Sequence, residues 1–590
     1  VFEGVDMTAN GHSGIETNGS NTNDTVTLRN STLNVPNGYG IYFPSSGTLT
    51  IDNSKINAKT MGVQVCSGSL NVTGADTAIT VSGDGIEKTG NDGAIEDGAA
   101  ISIVERTGYK GLSEIKVSGG TFTANGTNDA VKAYKWENQT ASGFTQDDKV
   151  SVSGGTFSSA VDKSLCAEGF IPTDNGNGTY GVKEGKYVAE IGSQGYESLQ
   201  EAINAAAKNA TVTLLADTRE NVTISTYGLT LDLNGHILNG GTEKGKPALT
   251  VTNRVTVKDS SAAQTGTIMR EDTDSLDVKG SNSHYVIDIQ GKNGFLKFES
   301  GNVKNTSGIP GVKGASLIRL GNDNVAGAYP TLTITGGTFT QDNFIAIKVD
   351  RGTLHLLGGT VNSANSFAIE NWNNAYIKGG TVNGTVSTWV YSTGAAFSKL
   401  TISGGTVNGN VASVNYDNAA DKQARVYVTG GTVTGTLGTY TYKNGLVAMD
   451  ETAKATIEVT GGTFKEDPTQ YVVEGSAINK NDDGTFGVAK AYLAKVGETS
   501  YYTMDEAFHA AVASGETLTL LRDYTTGSSQ NSGSKSFTID LNGYTWTYTG
   551  KEVDCAAFEI NYSDVTLTVK NGKVVSSQLV GLIPSAMGGT

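Results

Sequence analysis

Apolar and polar residues alternate in short runs along most of this chain. In FIAIKVDRGTLHLLGGTV (344–361), Ile345 and Ile347 alternate, and Leu354 and Leu356 do the same. Period-two alternation is the signature of a strand with one buried face. A glycine pair then closes the run. Gly-Gly-Thr-Phe/Val stands at Gly119, Gly154, Gly336, Gly358, Gly379, Gly404, Gly430 and Gly461, counting the first glycine each time. From Gly336 to Gly430 the steps are 22, 21, 25 and 26 residues. A related pattern without the double glycine, GIYFPSSGTLTI from Gly40 and GVQVCSGSLNV from Gly62, repeats after 22 residues. Glycine reaches positive φ at no steric cost, so each pair predicts a sharp corner between strands.

A fixed period in the low twenties predicts stacked repeats, because one repeat is too small to bury its own apolar face. Strands at this spacing pair best with their counterparts one repeat away, in parallel. The usual crossover preference makes the winding right-handed. The expected fold is therefore all-β, a right-handed parallel β-helix solenoid. Asn362, Asn383 and Asn408 follow the corners at one offset and are expected to form a hydrogen-bonded ladder along the stack.

A longer duplication lies over the short one. KYVAEIGSQGYESLQEAINAAA (186–207) matches AYLAKVGETSYYTMDEAFHAAV (491–512), and LTLDLNGH (229–236) matches FTIDLNGY (537–544). The offsets agree, at 305 residues for Glu201 and Glu506 and 308 for Asp232 and Asp540. This divides the chain into the C-terminal part of a first module (1–182), a complete module (183–488) and the N-terminal part of a third (489–590). The chain is thus expected to be a piece of a longer array. Each module opens with a short capping α-helix. Ser198-Leu199-Gln200-Glu201 and Thr503-Met504-Asp505-Glu506 fit a capping box, with the glutamate reaching back to the cap. Ala202, Ile203 and Ala206, like Ala507, Phe508 and Ala511, form an apolar stripe.

Composition narrows the functions. The net charge of −16 with 43 basic residues argues against a nucleic-acid partner. No apolar run is long enough to span a bilayer, so no membrane insertion is expected of this fragment. Cys66, Cys166 and Cys555 are an odd, scattered set, neither a disulfide framework nor a zinc site. No cofactor is implied. Calcium is the alternative reading of Asp174, Asn177, Asp482 and Asp483, whose NGNGTY and NDDGTF surroundings predict hairpin turns.

The TVTLLAD…LTLDLNGH segment, the SGGTF corners and the EGF…NGTYGV module end resemble pectate-lyase-like right-handed β-helix repeats in large surface proteins of Gram-positive gut bacteria. The resemblance covers most of the chain and concerns the scaffold. It implies an extracellular protein, cell-wall-attached or secreted, of the kind described as adhesins, with glycans, host surface proteins and neighbouring modules as partners. Relatives of the same fold include polysaccharide lyases and glycoside hydrolases.

Nucleophile and metalloprotease motifs are absent from the sequence, and the five histidines (His12, His236, His284, His355, His509) are scattered. A glycosidase needs two carboxylates flanking one bond. The most suggestive pair is Asp350 (KVDRG) and Glu370 (AIENW), expected at comparable positions of successive coils, with Lys348 and Arg351 nearby. Trp372, Trp389, Tyr391 and Tyr416 follow, and rings beside carboxylates form a platform for apolar sugar faces. The expected role is an adhesin or stalk that contacts glycans or proteins. A glycoside hydrolase or polysaccharide lyase using Asp350 and Glu370 is the alternative. Loops at Ile86–Gly98, Lys135–Asp148 and Gly321–Tyr329 are the expected recognition insertions.

Overall fold

The computed structural model describes residues 1–86, 88–90, 92–240, 246–270, 285–305, 316–321, 327–341, 344–417, 419–442, 446–448, 455–551, 555–562 and 564–582. The described chain is all-β in character, with parallel sheets and two α-helices. It divides into two compact units, Val1–Tyr187 and Val188–Thr590.

In the first unit, strands recur in register about one repeat apart. Val26 pairs with Leu49 and Leu49 with Leu70, all in parallel. A second row runs Leu33, Ile56, Ile79, and a third Ile41, Val63, Ile101. Leu49, Leu70, Ile56 and Val63 are fully buried, so the alternation read in the sequence is an inward–outward alternation. The unit ends in the antiparallel hairpin Phe170–Asp174 with Tyr180–Glu184.

The second unit holds a long sheet of the same kind. Val255, Leu296, Leu332, Leu354, Ala375, Leu400, Val426 and Ile457 pair successively in parallel and face one apolar core. A separate cluster from Leu493 to Phe558 forms the core of the last segment.

The glycine corners have two distinct causes. Gly380 has φ +77°, the left-handed conformation that the tight turn demands. Gly379 does not, but a Cβ there would lie 2.2 Å from the Leu357 carbonyl oxygen of the preceding repeat. The first glycine therefore permits close approach, and the second permits the turn. Beyond the corner the asparagine ladder forms as expected. Asn383 Nδ2 donates to Asn362 Oδ1 at 2.7 Å, and Asn408 Nδ2 to Asn383 Oδ1 at 2.9 Å.

Helices α1 (Leu199–Ala205) and α2 (Met504–Ser514) start where the capping residues place them. The Ser198 and Thr503 hydroxyls accept from the Glu201 and Glu506 amides. Their apolar stripes are buried in the two cores. In α2 the Thr503 hydroxyl also donates to the Glu506 carboxylate at 2.9 Å. In α1 the outside residue Glu220 takes the amides of Leu199 and Gln200 at 2.8 and 3.0 Å. Glu474 accepts from the Met504 amide of α2 in the same way.

Candidate functional site

The site lies on the outward face of one strand row in the second unit. Ile287, Ile318, Ile347, Ile369, Val386 and Val411 stack inward and are fully buried. The next residue of each strand points outward, giving the series Asp288, Arg319, Lys348, Glu370, Ser387, Ala412. Two residues further along, Asp350, Trp372, Trp389 and Val414 point the same way. The positions i and i+2 of a strand share a face, and parallel register aligns them from strand to strand.

The first part of this face is charged and largely shielded from water. Arg319 Nε donates to Asp288 Oδ1 at 3.0 Å, and its Nη2 to Oδ2 of the same carboxylate. Its guanidinium lies 4.4 Å from the centroid of Tyr285. Lys348 Nζ sits 3.1 Å from Asp350 Oδ1. Glu370 is opposite Lys348 in register, and its Oε1 accepts from Trp372 Nε1 at 2.8 Å. Burial pushes the Glu370 carboxyl above its ordinary range, offset only in part by Lys348 and the indole N–H. Burial pulls the Lys348 ammonium down, yet Asp350 and Glu370 outweigh it and hold the group above its ordinary value.

Aromatic rings take over beyond Glu370. Trp372 and Trp389 stack with centroids 5.4 Å apart and planes at 29°. Tyr391 meets Trp372 edge-on at 5.2 Å. Tyr416 lies 6.4 Å from both tryptophans. Trp389 is 3% exposed and donates its N–H to Ser387 Oγ at 2.7 Å, so it forms the floor. Trp372 and Tyr391 are half-buried, while Tyr416 is 41% exposed. Phe367 and Tyr440 pack against the same cluster. Asn371, fully buried, fixes the turn after Trp372. Its Nδ2 donates to Thr388 Oγ1 at 2.8 Å and to the Lys399 carbonyl at 3.0 Å, while its Oδ1 accepts from the Asn373 amide.

The structure thus brings Glu370, Trp372, Trp389, Tyr391 and Tyr416 together. Asp350 is close by through Lys348, but the residue opposite Glu370 is Lys348, so the two carboxylates are offset by two positions along the strands. Asp288, Arg319, Tyr285 and Ser387 belong to the same face and were not singled out in the sequence. Their one signal there is spacing, because Ser387 precedes Trp389 by two residues as Glu370 precedes Trp372.

The expected recognition loops differ among themselves. Residues 92–98 fold back onto the first unit. Ala94 and Ile95 are fully buried against Tyr39, Met61, Tyr134 and Trp136, and the Gln64 amide brackets the Ile95 backbone. This segment covers apolar surface and presents none. Residues 135–148 include an exposed hairpin at Thr140–Ser142. Most of 321–329, and His284, lie outside the described residues. The turn residues Asp174, Asn177 and Asp483 accept from amides two positions on, as Asx turns do.

No protein-family model matches the sequence, and a search of curated proteins finds no significant match.

Proposed function

We propose that this chain belongs to an extracellular cell-surface protein, cell-wall-attached or secreted, in which tandem modules (1–182, 183–488, 489–590) wind as right-handed parallel β-helices. Its role is that of an adhesin or stalk, and the aromatic face at Trp372, Tyr391 and Tyr416 contacts host or dietary glycans. The winding is supported by strand rows that pair in parallel about one repeat apart and by the glycine corners that recur between strands. The placement outside the cell rests on the resemblance of the repeats to surface-protein scaffolds.

The observation that carries the binding role is the aromatic cluster itself. Trp372 stacks on Trp389 and donates its N–H to Glu370, so its ring is preorganised, and Tyr391 and Tyr416 flank it. Fixed rings with one wet side suit the apolar face of a pyranose. The neighbouring acids are occupied by the protein. Glu370 is held by an indole and a lysine, and Asp350 by the same lysine. That arrangement favours binding over hydrolysis, for which one carboxyl must face the glycosidic oxygen and the other the opposite side of the sugar.

A neutral-glycan array probed with the full chain tests this reading. Binding to at least one glycan is expected, with Trp372→Ala lowering that affinity about 30-fold, the loss of a contact worth about 2 kcal/mol. An array without signal, or unchanged affinity in the variant, contradicts it. Release of reducing sugar from the bound glycan, abolished by Glu370→Gln, would instead establish the carbohydrate-active enzyme.

A further inference from the structure

The neighbouring strand row of the second unit presents a different surface. Leu354, Ala375, Leu400 and Val426 point inward and are fully buried. The outward residues between them are His355, Tyr376, Thr401 and Tyr427, adjacent in register. Lys399 and Arg425 are register neighbours on the same face, two residues before Thr401 and Tyr427. Lys378 follows Tyr376 by two residues and is exposed.

Rings and cations interleave here. Tyr376 and Tyr427 stand two strand spacings apart, about 9.6 Å. The Lys399 ammonium lies between them, 5.9 Å from one ring centroid and 5.1 Å from the other. The Lys378 ammonium lies 5.8 Å from the Tyr376 centroid. His355 stacks on Tyr376 at 5.2 Å and 16°. The Arg425 guanidinium lies 6.0 Å from the ring of Phe397, which is 55% exposed. Its Nε donates to Gln423 Oε1 at 2.7 Å, a neutral partner.

Among the described residues, none of Lys378, Lys399 and Arg425 forms an ion pair. Lys258 and Lys297 of the same sheet are neutralised, by Asp232 at 3.2 Å and by Glu299 at 2.6 Å. Three cations without an ion pair are thus gathered on one face, in a chain whose net charge is −16.

We infer that this face binds an acidic polysaccharide, with sugar carboxylates or sulfates on Lys378, Lys399 and Arg425 and pyranose faces against Tyr376 and Tyr427. The charge is complementary, and the flat row of half-buried rings suits an extended polymer of repeating units. A single-stranded nucleic acid, whose bases could stack on the same rings, is the other polyanion the test must separate. This surface does not depend on the Trp372 site and lies in another strand row.

Calorimetric titration of the full chain with polygalacturonate and with chondroitin sulfate tests the inference, with dextran and single-stranded poly-dT as comparators. Binding to at least one acidic polysaccharide is expected, weaker at 500 mM than at 50 mM salt because the contacts are ionic. Lys378→Gln/Lys399→Gln/Arg425→Gln should lower the affinity about tenfold or more, each lost charge contact being worth roughly 0.5–1 kcal/mol. The charge-retaining Lys399→Arg/Arg425→Lys variant should keep it, and Trp372→Ala should leave it unchanged. Should the triple variant melt below the wild type, Lys378→Gln alone, at an exposed position, should still cost about threefold. Failure of both acidic polymers to bind, dextran or poly-dT binding as tightly, or unchanged affinity in the variants would overturn the proposal.

Discussion

Two carboxylates of the second unit are held in opposite senses, and this sets their pH dependence. Burial raises the Glu370 carboxyl, so its folded-state value lies above the unfolded one. Its contribution is complete below the ordinary glutamate value of about 4.3 and is lost as pH rises through the folded value. Burial also works on Glu220, but the hydrogen bonds from Leu199, Thr218, Gln200 and Ser198 outweigh it and lower the group. Its contribution is present above about pH 4.3 and is lost as pH falls through the lowered value. Melting temperatures taken from about pH 2 to pH 8 should separate the two. Relative to the wild type, Glu370→Gln should gain stability as pH rises, and Glu220→Gln should lose it. A common trend for both variants would contradict the two environments. The aromatic cluster was legible residue by residue, since tryptophans and tyrosines recur after AIENW whatever their exact contacts. The ion pair of Arg319 with Asp288, and Lys348 rather than Asp350 opposite Glu370, were not. Loops of unequal length separate these strands, so sequence spacing does not reveal which outward residues meet.

At the level of strands and corners the sequence carried more. The repeated glycine pair, the period-two runs and the asparagine offset each have a direct counterpart in paired strands, turns and a side-chain ladder. These are local signals, and each needs only its own segment and the equivalent one a repeat away. Helix α1 shows where locality ends. Its cap is completed by Glu220, some twenty residues downstream, while Glu201 of the apparent capping box is exposed. The two glycines of a corner should also respond differently to substitution. Gly379 has an ordinary φ, so Gly379→Ala fails for lack of space alone. Driving a Cβ toward the Leu357 carbonyl should cost about 3 kcal/mol, the upper end for overpacking. Denaturant unfolding checks this, and a loss below about 1 kcal/mol would show that successive repeats are not in such close contact.

For the whole molecule, the proposals divide by what each requires. The glycan platform needs Trp372 and its supports, and the acidic-polysaccharide face needs the row from His355 to Tyr427. Both require that outward residues from successive repeats lie side by side, which is a property of continuous parallel stacking. Spin-label distances within the second unit measure it directly. Thr256, Lys297, Thr333, His355, Tyr376, Thr401, Tyr427 and Glu458 are successive register partners. Thr256 and Thr401 are five strand spacings apart, about 24 Å, and Thr256 and Glu458 are seven, about 34 Å. Labels at 256/401 and 256/458 should therefore give two distances, the second longer by about 10 Å. Equal distances, or a shorter second one, would mean that the chain folds back into separate β-sandwiches, and the stacking on which both surfaces depend would be wrong.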